Sequence, residues 1–257
     1  MSSSRERVFN VPAVILAIAA VMGLVHAVFT LVLTPAQTNE FLILFAFIPV
    51  RYDLQILAAE SWARGWGAAV WTFVTYAFIH GGLSHLFFNG VWLLAFGTPV
   101  ARRFGALRFT IFFAVTAAAG AAAHLATNFG DLAPVVGASA AISGAMAAAI
   151  RFVFQRGGPL GTLGSADEDA YRVPAAPLSV ALRDPRILLF LAVWFGLNLI
   201  FGLGSLSMPG IDMGVAWEAH IGGFLAGLLC FPLFDPVRHS AANVDAEPPP
   251  DQGSTIH

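Results

Sequence analysis

Lysine is absent from this sequence of 257 residues, cysteine occurs once, and charged residues make up only 11% of the chain. Each shortage excludes something. The 13 basic residues are all arginine and stand against 15 acidic ones, giving a formal charge of −2. There is no basic field to hold nucleic acid, so that partner class is set aside. The single Cys230 rules out an intramolecular disulfide and any thiolate metal cluster. Soluble domains carry about 25% charged residues, and a chain with less than half of that cannot clothe its surface against water. What fills the composition is apolar: 58% hydrophobic residues, 23 Phe and a mean hydropathy of +0.76. The bilayer must solvate much of that surface, which makes the chain an all-α polytopic membrane protein.

Crossing the hydrocarbon takes about 20 apolar residues. Windows of that kind cover 11–33, 83–100, 107–128, 137–154, 187–203 and 214–234, and predict a bundle of six transmembrane helices. The first window is longer than the signal-peptide core of about 7–15 residues, and no small-residue cleavage site follows it, so a retained helix is expected. Arginines orient the bundle. Arg5 and Arg7, three between the second and third spans, five between the fourth and fifth, and Arg238 fall on one side; Arg51 and Arg64 fall on the other. The positive-inside rule then puts both termini in the cytoplasm. The predicted organisation is a cytoplasmic N-terminus over 1–10, a membrane domain over 11–234 and a disordered cytoplasmic tail over 235–257, where Glu247 leads into three prolines. The Trp-containing connection 34–79 is expected to lie partly in the outer interface. The connection 157–184, with its Gly, Pro and acidic residues, is expected to be a solvated cytoplasmic loop. The absence of an internal repeat argues against a secondary transporter.

Polar groups at membrane depth are expensive and therefore informative. His85 and Asn89, four residues apart, share one helix face, whereas His80 lies about 140° away from His85 or precedes the helix. Interhelical hydrogen-bonding glue is the plain alternative for these residues. Ser139 follows Gly137 at the start of the fourth span, in the positive end of the helix dipole, where an alkoxide or oxyanion is stabilised. Ser143, one turn on, is the fallback nucleophile. His220 shares a face with Gly223 and Gly227, a G-x-x-x-G groove that admits a small-residue helix such as the fourth. Ser139 and His220 can meet there, and a serine hydroxyl needs such a base. Glu218 is about 200° from His220 around the helix, so it cannot orient that ring, and a Ser-His dyad without a third acid is expected.

His80-x4-His85-x3-Asn89, Gly137-Ala-Ser139 and Ala219-His220-x2-Gly223-x3-Gly227 occur in this order on the second, fourth and sixth spans. This set resembles the rhomboid family of intramembrane serine proteases. The resemblance implies a nucleophile at Ser139, a general base at His220, and oxyanion donors at His85 and Asn89 together with the Ser139 N–H. It implies a supporting part for His80, Gly137, Gly223 and Gly227, and a cap over a water-filled cavity at 204–214. No cofactor or metal is called for. The implied partners are transmembrane protein substrates and the lipid bilayer; a catalytically inactive binder of transmembrane helices is the alternative. A bacterial inner membrane is the expected setting. Four positions depart from the family pattern. Thr72 stands where an arginine is common, Ala101 where a glutamate often precedes Arg102, Ala140 where glycine usually follows the nucleophile, and Ser143 where some members carry an aromatic ring.

Overall fold

A computed structural model describes residues 11–55, 65–160, 168–202 and 216–237. Their regular structure is helical, apart from one isolated bridge between Phe47 and Val135. In chain order the main helices are α1 (Ala13–Leu31), α2 (Pro35–Phe45), α3 (Gly65–Thr75), α4 (Leu83–Phe104), α5 (Ala106–Thr127), α6 (Ser139–Ala149), α7 (Pro185–Gly202) and α8 (Trp217–Phe234). Helices α1, α4, α5 and α8 are each long and apolar enough to cross a membrane, while α6 and Pro185–Ile200 of α7 are shorter apolar helices. Their outward faces carry exposed leucines such as Leu24, Leu107, Leu189 and Leu229, which have no aqueous rationale. This is a multi-pass membrane protein.

Helix starts and stops follow local chemistry. α2 begins with a capping box in which Thr34 accepts from the Gln37 N–H and the Gln37 side chain accepts in return, with Pro35 at the first helical position. Gly105, at φ +79°, turns the chain directly from α4 into α5. Ahead of α7, the Asp184 carboxylate accepts from the Arg186 guanidinium and main-chain N–H. Those bonds hold that carboxyl low, at about 2. α2 and α3 have 11 residues each, about 16 Å of helix, so neither crosses the bilayer.

The fourth expected span is shorter than its apolar window. The helix covers only Ser139–Ala149, and 150–154 fold into turns. An apolar run reports burial, not helix. Here Phe152 and Val153 are buried because the chain folds back on itself, with Phe152 beneath the Arg103 guanidinium.

α6 lies at the centre of the bundle, buried from Ala140 to Ala149 and flanked by α5 and α8. Lipid tails are as apolar as leucine, so such helices gain by close contact of small residues. The approach here is at its limit. A Cβ placed at Gly223 collides with the Ala140 carbonyl, and one at Gly227 stands 2.5 Å from Gly144 Cα. On the opposite flank, a Cβ at Gly144 stands 2.6 Å from Thr116 Cβ of α5.

At the end of the bundle remote from Ser139, the buried Arg103 forms a two-pronged pair with Asp235, each bond 2.8 Å. It also donates to the carbonyls of Tyr171 and Val173, both at 2.8 Å, while Arg151 donates to that of Ala176 at 2.9 Å. The connection 157–184 is therefore not simply a solvated loop. Its described part buries Ala170, Ala175 and Ala176, because two intramembrane-end guanidinium groups need acceptors. Asp235, the first residue of the expected tail, belongs to this network; residues 238–257 lie outside the described part.

The helix contacts predict an uneven response to a single added methyl. Gly227→Ala is expected to destabilise the protein by about 1–3 kcal/mol, since the backbone it meets cannot rotate away. Gly90→Ala, with nothing within 4 Å, is expected to be neutral; thermal unfolding in detergent measures both.

Candidate active site

Ser139 is the first residue of α6 and is half-buried. The segment leading to it is fixed from two sides. Val135 and Phe47 exchange main-chain bonds of 3.2 and 2.7 Å, and Gly137 donates to the Tyr76 carbonyl at 3.0 Å. The Tyr76 hydroxyl in turn donates to the Ala117 carbonyl of α5 at 2.8 Å. Gly137 adopts φ +117°, and a Cβ there stands 2.6 Å from His85 Nε2 and 3.8 Å from Ser139 Oγ. Glycine is thus required twice, by the backbone conformation and by the imidazole beside it. The His85 ring and the Ser139 hydroxyl thus both lie beside Gly137.

From α8, His220 brings Nε2 to 2.7 Å from Ser139 Oγ. The two residues are 81 positions apart in sequence and meet across the glycine-lined contact described above. Asn89 on α4 is buried, and its side-chain amide donates to the His85 carbonyl at 3.0 Å. An amide NH2 has a second hydrogen to offer. His80 precedes α4 and is fully buried, its ring edge-on to that of His85 with centroids 5.0 Å apart. Its carbonyl accepts from His26 Nδ1 at 3.1 Å, which gives His26 a structural place. His124 faces Glu218 at 3.5 Å and Asn128 at 3.3 Å, so Glu218 does not orient His220. Among the described residues, no group of three or more His, Cys, Asp or Glu is placed to hold a metal ion.

Ser143 is not placed as a second nucleophile. It is buried and its hydroxyl donates to the Ser139 carbonyl at 2.7 Å, bonding back onto its own helix.

Three of the departures are accommodated by residues elsewhere. At Thr72 the guanidinium comes from the loop instead. Arg51, buried in the turn Pro49–Tyr52, donates to the carbonyls of Ile43 and Ala68 and to Thr72 Oγ1. Trp71 and Thr75 of α3 bond the carbonyls of Leu44 and Phe45, which end α2 and would otherwise lack partners. Beside Ala101, the ties are the Arg102–Glu168 pair at 2.9 Å and the Arg103–Asp235 pair. The methyl of Ala140 points at Gly120 of α5, where a Cβ would stand 2.5 Å from it. The extra carbon thereby takes up the room that Gly120 leaves beside the Ala219 carbonyl of α8.

Sequence reasoning missed one group in contact with the pair. Asn198 of α7 is buried, and its Oδ1 is hydrogen-bonded to His220 Nδ1. Asn198 is a strongly polar side chain inside an otherwise apolar span, the same signal that singled out Asn89. The expected cap at 204–214 lies outside the described residues.

The profile of the Rhomboid domain family matches residues 67–234. That stretch contains Ser139, His220, His85, Asn89 and Asn198. The human protein named Rhomboid-related protein 3 is 38% identical over 76 residues, 29% of this chain. The match covers about 18% of that relative's own length.

Gly137→Ala is expected to lower the melting temperature in detergent. It combines a left-handed backbone with a methyl driven into His85, a strain of about 1–3 kcal/mol. An unchanged melting temperature would refute the close approach of His85.

Proposed function

Since this chain belongs to the rhomboid family, we propose that it is an intramembrane serine endopeptidase that cuts transmembrane segments of other membrane proteins near the outer face. The observation that carries this reading is the 2.7 Å contact between Ser139 Oγ and His220 Nε2 at the N-terminal end of α6.

Ser139 attacks the scissile carbonyl as His220 takes its proton. The negative charge forming on the carbonyl oxygen develops at the start of α6, where the Ser139 N–H and the helix dipole favour it. His85, facing Gly137, and the second amide hydrogen of Asn89 are the side-chain donors to that oxygen. His220 then protonates the leaving amine and activates a water to hydrolyse the acyl-enzyme. His80, Gly137, Gly223 and Gly227 serve this chemistry by packing. A peptide bond inside a helix is hydrogen-bonded and hidden, so the substrate segment has to unwind first, which favours helix-weak sequences as targets.

The topology that goes with this reading has six spans, with α6 and α7 as the fourth and fifth and both termini in the cytoplasm. The arginine distribution and the even number of apolar helices support it. A bacterial inner membrane is the setting it implies.

A fluorophosphonate probe applied to the detergent-solubilised protein, together with cleavage of a model transmembrane substrate, tests the proposal. Labelling and cleavage are expected to vanish in Ser139→Ala and His220→Ala and to persist in Ser143→Ala. Folded protein that is neither labelled nor active would instead indicate a binder of transmembrane helices. Asn89→Ala, which removes one oxyanion donor, is expected to lower kcat by about 10²–10³; full activity would remove Asn89 from the mechanism.

A further inference from the structure

We infer that Asn198 is a positioning residue for His220: it fixes the imidazole in the tautomer that leaves Nε2 free to take the Ser139 proton. This inference rests on the serine-protease reading and extends it from two residues to three.

The protons can be assigned from the donors and acceptors alone. Asn198 Nδ2 lies 2.8 Å from the Trp194 carbonyl of the same helix. A carbonyl only accepts, so the NH2 side of the amide faces Trp194 and the oxygen faces away from it. That oxygen is the atom bonded to His220 Nδ1. It too only accepts, so Nδ1 carries the hydrogen. A neutral imidazole has one N–H, which leaves Nε2 bare toward Ser139 Oγ at 2.7 Å, and the serine hydroxyl donates to it. Without the amide oxygen, nothing described at Nδ1 selects this tautomer over the one with hydrogen on Nε2, which cannot accept the serine proton.

The position of the group in the fold supports a specific duty. Asn198 is only 9% exposed, whereas Val193, Leu197, Leu199 and Ile200 around it face outward. α7 meets the bundle mainly through α8, where Trp194 stacks on Phe224 with ring centroids 4.8 Å apart and 28° between planes. That stack holds the turn from which Asn198 reaches His220. A neutral amide suits this place better than a carboxylate, because it accepts the Nδ1 hydrogen without bringing a charge into the membrane interior. The same division of labour, with an asparagine behind the histidine, occurs among cysteine hydrolases of unrelated fold.

The plain alternative is that Asn198 only joins α7 to α8. Glue alone would alter stability and leave the proton where it is. The test therefore reads the proton. In the full-length chain in nanodiscs with 15N-labelled histidine, the ring nitrogen shifts of His220 report which nitrogen is protonated. The unmodified protein is expected to show Nδ1–H, and Asn198→Ala a mixture of both tautomers. In parallel, Asn198→Ala is expected to lose about 10–10² in kcat with KM unchanged. Asn198→Asp, which retains an oxygen acceptor, is expected to recover much of that loss. Should Asn198→Ala fail to fold, Asn198→Leu, nearer in volume, takes its place in both measurements.

An Ala or Leu variant with the original tautomer and original kcat would overturn the inference. Failure of the underlying reading looks different. Unmodified protein that resists the fluorophosphonate probe, yet shows a His220 tautomer that depends on Asn198, would refute the protease and still support the Asn198 assignment.

Discussion

Gly223 and Gly227 of α8 lie against the backbone of Ala140 and Gly144 of α6, with no side chain between the helices. The distance between these two backbones sets the site. His220 sits three residues before Gly223 and seven before Gly227, so it projects from the face that touches α6, level with the first turn where Ser139 lies. One more methyl at either glycine would move the imidazole away from the hydroxyl. In a bilayer, where burying apolar surface gains nothing between helices, this close contact is also what holds the two together. The rest of the bundle is arranged around it: Gly120 and Thr116 of α5 receive the other side of α6, and α4 brings His85 and Asn89 up to the same end.

The loop between α1 and α4 takes part in the same arrangement. Its bridge from Phe47 to Val135 and the bond from Gly137 to Tyr76 hold the chain that delivers Ser139. Arg51 closes the loop upon itself by filling carbonyls of α2 and α3. A guanidinium is well suited to this because its planar fork addresses several acceptors at once. It does the work that the departure at Thr72 had put in question, from a position 21 residues earlier.

Much of the candidate site was readable from the sequence because each polar group in it is unusual where it stands. A serine after glycine at the start of an apolar span, a histidine on a glycine face, and a histidine and asparagine four apart are all out of place in hydrocarbon unless they serve something. Asn198 carries the same signal more faintly, since a lone amide has no partner at helical spacing to draw attention to it. Arg51 and Gly120 could not be found that way. Their partners, Thr72 and Ala140, lie far off in sequence, and only tertiary packing brings them together. The length of α6 is not legible for a different reason: hydropathy measures how well a segment is hidden, and 150–154 are hidden as turns rather than as helix.

The carbonyls of Tyr171, Val173 and Ala176 stand in for water around Arg103 and Arg151. A stretch that looks like a spacer between two helices is thereby a solvation shell made of backbone. None of these bonds uses a side chain, so what they demand is length and path, while burial separately keeps Ala170, Ala175 and Ala176 small. A reporter or affinity tag spliced into 171–176 would take main-chain acceptors from both guanidinium groups and leave Arg103 with Asp235 alone, although residue identity alone would mark the segment as free ground for engineering.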